Sequence, residues 1–119
     1  MIKTNDKRIV VTGLGVVTSI GIGKESFWEN LIKGKSGISG VESFSTKDQF
    51  THIGGEVKNF KAVEFIDKKK IKLMARTSHL AIAAAKLALK DANLTVAELK
   101  DTRASVCLGT TGEIGRAHV

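Results

Sequence analysis

Proline and tyrosine are missing from this chain, and cysteine occurs once. Without proline there is no Pro-rich linker. A single cysteine, Cys107, cannot close an intrachain disulfide, which fits a reducing compartment. Long apolar runs are lacking too, since no segment approaches the roughly 20 residues of a membrane helix. The basic start "MIKTNDKR" precedes an apolar stretch, the charge order of a signal peptide. That stretch is broken by Thr12, Gly13, Gly15, Thr18 and Ser19, and no small-x-small cleavage site follows. The expectation is a cytoplasmic protein without a membrane span. Internal repeats and low-complexity tracts are absent.

What is present is ordinary for a folded domain. The chain has 119 residues, of which 42% are hydrophobic and 26% charged, one domain by length. Its formal charge of +7 asks for an acidic partner or a solvated basic face. Nucleic acid is the first suspect by charge. Against it, aromatics are only 5% of residues, and no helix-turn-helix, RRM or zinc pattern occurs. The expectation is therefore no nucleic acid.

Read along the chain, "RIVVTG" (Arg8–Gly13) is β-branched, apolar and closed by glycine, the pattern of a short buried strand. "KESFWENLIK" (Lys24–Lys33) reads as a helix. Phe27, Trp28, Leu31 and Ile32 share a face, Glu25 suits the first turn, and Gly34 suits the position after the last turn. "GKSGISG" is a loop, and Val41 to Asn59 is weakly patterned, with a short edge strand expected in "HIGGEVKNF". Asp67 is placed to cap a basic helical turn, "KKKIKLMA". Thr77 to Ala92 reads as an Ala- and Leu-rich helix buried on most sides, whose alanines let another backbone approach. Asn93 ends it, Thr95-x-x-Glu98 has the form of a capping box, and "RASVCLGT" reads as a second buried strand. The order of elements argues an α/β fold.

The four glycines of "RIVVTGLGVVTSIGIG" raise the question of a dinucleotide site. That fingerprint needs G-x-G-x-x-G or A between a strand and the helix directly after it. Here Thr18 occupies the third small position, the first helix signal comes only after Gly23, and Lys33 and Lys35 stand where an acidic ribose ligand belongs. The glycines instead suit a bent connection passing tightly over a sheet. A Rossmann-type NAD(P)-binding oxidoreductase is kept as a remote alternative.

At these residues the chain resembles a known family. "RIVVTGLGVVTSIG", "FWENLIKGKSGI", "MARTSHLAIAAAKLALKDANL" and "VCLGTT" follow one another as in the amino-terminal end of a β-ketoacyl-[acyl-carrier-protein] synthase, synthase II type, and its polyketide-synthase relatives. The similarity runs from about Lys7 to Gly112. It departs from the family at Ser19, where proline is common, and at Ala75, where an Asp usually stands and would cap the following helix.

The resemblance implies a partial thiolase-like fold, the first part of an N-terminal βαβαβαββ half in a stack of helix and sheet layers. It implies a decarboxylative Claisen condensation in fatty-acid or polyketide synthesis. A cysteine thiolate takes the acyl chain from a carrier protein, and malonyl-carrier loses CO₂ to give the attacking carbanion. Such chemistry needs an activated thiolate, an oxyanion hole and two histidine donors. No catalytic residue of that set is expected on this chain, because in the family all of them come later. Cys107, between Val106 and Leu108, reads as a buried, inert thiol rather than a nucleophile. His79 reads as a packed helix residue, and no partner can be named for His52. No cofactor and no metal site are expected.

One functional patch remains. In the family, basic residues at the head of the Ala-rich helix contact the acidic helix of the acyl carrier protein. Lys69 and Lys72 match those positions, Lys68 is their neighbour, and Leu73 stands where a further basic residue is common. The family implies a homodimer for the full-length parent. The last six residues, "IGRAHV", are what ATC GGA AGA GCA CAC GTC encodes, a string resembling a sequencing adapter. The expected organisation is thus residues 1–113 as the truncated N-terminal part of a synthase domain and 114–119 as a non-native tail. Alternatives of other classes are a non-catalytic chain-length-factor-type partner subunit and a basic nucleic-acid-binding module.

Overall fold

The computed structural model describes residues 8–100 and 102–110. A two-residue hairpin comes first: β1 (Val17–Thr18) pairs antiparallel with β2 (Gly21–Ile22), in the register Val17 opposite Ile22. Helix α1 (Lys24–Ile32) follows directly. Its end is fixed by local chemistry. Gly34 takes a φ of 64°, its N–H donates to the Leu31 carbonyl, and the Lys35 N–H donates to Asn30. This is a Schellman arrangement, and the left-handed residue it needs is glycine. The Asn30 amide donates to the Ile20 carbonyl, holding the helix on the hairpin turn.

A second short ladder pairs β3 (Ser39–Gly40) with β4 (Ile53–Gly54). The expected edge strand in "HIGGEVKNF" is therefore present, and its partner comes from within the "GKSGISG" loop. Glu56 clamps the segment between them. Its carboxylate accepts from the backbone N–H groups of Glu42 and Ser43 at 2.8 and 3.1 Å, and from the Ser43 hydroxyl. These hydrogen bonds, led by the Ser43 hydroxyl, hold the Glu56 carboxyl below its usual range.

A 3-10 turn at Ala62–Glu64 leads to α2 (Lys68–Ile71) and then to α3 (Arg76–Asp91). The Ala-rich helix is present within one residue of its expected bounds. Asn93 ends it in the left-handed region at φ 54°, with Asn93 N–H donating to Lys90 and Leu94 N–H to Leu89. The last helix, α4 (Val96–Leu99), carries the capping box read from Thr95 and Glu98. Glu98 accepts from both the N–H and the hydroxyl of Thr95, which holds its carboxyl low.

Three expectations are corrected. Arg8–Gly13 and "RASVCLGT" run as irregular, exposed chain: Ile9 is 99% and Val106 96% exposed. A β-branched run becomes a strand only where a neighbour supplies the ladder, and neither segment has one among the described residues. Cys107 is accordingly exposed, not buried. Helix α3 is half-buried, with Ala83 alone fully enclosed, because its neighbours among the described residues are short: the glycine segment, β1 and the 3-10 turn. The proposed tail, 114–119, lies outside the described residues.

The early glycines pack against a helix rather than a sheet. A Cβ on Gly15 would lie 1.8 Å from the Ala84 carbonyl oxygen, and one on Gly13 2.2 Å from that of Ala88. Ala84, Ala88 and Ala92 recur every fourth residue and so form one stripe along α3. The alanines do admit another backbone, and the glycines are that backbone. At the end of the stripe, Asp91 accepts from the Leu14 N–H at 2.9 Å and from the Lys24 ammonium, tying α3 to the glycine segment and to α1.

Candidate functional site

The basic turn begins with an anchor. The Asp67 carboxylate accepts from the Lys69 N–H at 2.8 Å, capping α2 as its position in the sequence suggests. A four-residue helix with three lysines repels itself, so it needs support from outside. His79 supplies it at the other end: its Nε2 donates to the Ile71 carbonyl at 3.0 Å. An α2 carbonyl is thus met by a side chain from α3. His79 is a packed, half-buried residue as read from the sequence, but its partner was not legible, since nothing local marks a contact across eight positions.

Arg76, at the start of α3, braces the segment before the turn. Its guanidinium donates to the Val57 carbonyl at 2.7 Å and lies 5.9 Å from the centre of the Phe60 ring. Phe60 in turn stacks on Phe65, 5.8 Å between ring centres and nearly parallel. Ile66, one of the few buried side chains, sits next to this stack in sequence. The stack and Ile66 directly precede the turn in the chain.

On the turn itself Lys68, Lys69, Lys70 and Lys72 are all exposed. Among the described residues none of them forms an ion pair; the paired lysines are Lys24, Lys33, Lys58 and Lys61. Asp67, the nearest carboxylate in sequence, is engaged with a backbone N–H. The structure thus presents Lys68, Lys69 and Lys72 together on one turn, none of them in an ion pair among the described residues. Such a surface attracts an anionic partner over a distance of about one Debye length, roughly 8 Å at physiological salt.

The remaining candidates do not converge. His52 Nδ1 lies 3.0 Å from the Thr46 hydroxyl on an exposed loop. Cys107 stands on the irregular segment, far along the chain from His52 and His79, with neither of these as a hydrogen-bond partner. The dinucleotide reading fails on space: α3 occupies the face of Gly13 and Gly15 that a pyrophosphate would need. Ala75, where a capping acid was missed, is the N-cap of α3 and offers no side-chain hydrogen bond.

Comparisons with known proteins identify the family. The family profile described as "Beta-ketoacyl synthase, N-terminal domain" matches residues 6–118. A 3-oxoacyl-[acyl-carrier-protein] synthase 2 of Synechocystis sp. is 41% identical over 110 residues, covering 92% of this chain and 26% of that protein. The protein of the same description from Staphylococcus aureus is 38% identical over 107 residues, covering 90% and 26%. Among solved structures, the ishigamide ketosynthase/chain length factor matches with a TM-score of 0.68 and 36% identity, over 72% of this chain and 21% of that one. The chain spans about a quarter of the length of the curated relatives it matches. The likeness gives it part of a ketosynthase, thiolase-like α/β fold. Among the described residues no helix is long and apolar enough to cross a membrane.

Proposed function

The chain belongs to the β-ketoacyl synthase family, and we propose that it is the amino-terminal part of a 3-oxoacyl-[acyl-carrier-protein] synthase. The reaction is a decarboxylative condensation. The carbanion left when a malonyl thioester loses CO₂ attacks the carbonyl of an acyl group held on an enzyme cysteine. A carbon–carbon bond forms, the carbon–sulfur bond breaks, and the thiolate leaves. The observation that carries this reading is the 41% identity over 92% of the chain to a synthase 2.

In this reading the catalytic cysteine and both histidines lie in the part of the protein beyond these residues, and Cys107 is not the nucleophile. This segment's own task is docking. Lys69 and Lys72, with Lys68 beside them, receive the acidic helix of the carrier protein, their charge mainly raising the encounter rate. The whole enzyme is a cytoplasmic homodimer that uses no cofactor.

The test uses the gene product carrying this chain, expressed whole, with acyl-carrier and malonyl-carrier. Release of CO₂ together with 3-oxoacyl-carrier supports the reading. A whole protein that binds carrier yet releases neither overturns it. Lys69→Glu with Lys72→Glu weakens carrier binding at low salt, and unchanged affinity there removes the docking role. A second reading is favoured by the chain length factor in the structural neighbour's description: a partner subunit without the cysteine. It predicts no condensation alone and restored activity with a separate synthase.

A further inference from the structure

We draw no further inference here: the strongest candidate, the open cavity of about 470 Å³ between the 41–57 segment and helix α3, lined by Val41, Ile53, Val57, Arg76 and Leu80 among others, carries nothing, because nothing in the structure shows what covers it in a chain that spans about a quarter of the length of its curated relatives.

Discussion

Replacing Gly15 by alanine is the sharpest test of how this chain packs. The added Cβ would lie 1.8 Å from the Ala84 carbonyl oxygen and 2.6 Å from the Ala88 nitrogen, where ordinary contact begins at 3.4 Å. The segment and the helix must separate by well over an ångström. Overpacking by one methyl commonly costs about 1–3 kcal/mol, and rigid helix backbone on the far side puts this case near the upper end. The separation also strains the neighbouring Leu14 hydrogen bond to Asp91. A loss of about 3 kcal/mol lowers amide-exchange protection in α3 by about a hundredfold. Gly40→Ala is the control, with nothing within 4 Å of the new carbon, and it should stay within about 0.5 kcal/mol of wild type. Adding Ala84→Gly to Gly15→Ala should rescue nothing, because the opposing atoms are backbone. Unchanged α3 protection in Gly15→Ala would refute the reasoning, and rescue by Ala84→Gly would show the clash to be with a side chain.

Other outcomes follow from the same contacts. Asp91 is held below its usual carboxyl range by the Lys24 ammonium and then by the Leu14 N–H, so its stabilisation is full above about pH 3.9 and drains as pH falls through the lower folded value. Lys24 is raised by the same hydrogen bond, so its share is present below about pH 10.4 and is lost as pH rises through the folded value. Asp91→Asn should flatten both shoulders of a stability–pH curve, and a curve of unchanged shape would contradict the link. Ala75→Asp should supply the side-chain cap that α3 lacks and stabilise it by about 1 kcal/mol, read from the urea midpoint. No gain would mean that the first amides of α3 are already satisfied. Cys107, being exposed, should react with a thiol reagent in buffer nearly as fast as in urea; slowing by about tenfold or more would restore the buried reading.

The helix ends were legible because their chemistry is local. Gly34 and Asn93 take the left-handed conformations their positions suggest, and Asp67 and the Thr95–Glu98 pair cap as read. Each of these decisions is settled within a few residues. The strands were legible only as composition. "RIVVTG" and "RASVCLGT" have the right residues, but a ladder is a property of two segments, and β propensity says nothing of whether the second is beside the first. The long-range supports were hidden for a related reason. His79 to Ile71, Arg76 to Val57 and Asp91 to Lys24 join residues eight, 19 and 67 positions apart, and no period in the sequence encodes them. The lysines themselves were found by resemblance and by charge; that none is in an ion pair among the described residues is a structural fact.

Helix α3 is what these long-range contacts have in common. Its first turn braces Val57 through Arg76 and holds α2 through His79, while its last turn holds α1 and the glycine segment through Asp91. At 16 residues it is a rod of about 24 Å, stiff enough that the two ends do not shift independently while its hydrogen bonds last. The glycine contacts with Ala84 and Ala88 begin more than a turn beyond His79. A disturbance at Gly15 nevertheless reaches the lysine turn through α3, because displacing the rod carries His79 with it. Exchange protection of α3 and of the lysine turn should then fall together in Gly15→Ala, whereas a variant at His79 separates them, loosening the turn while the glycine layer stays closed.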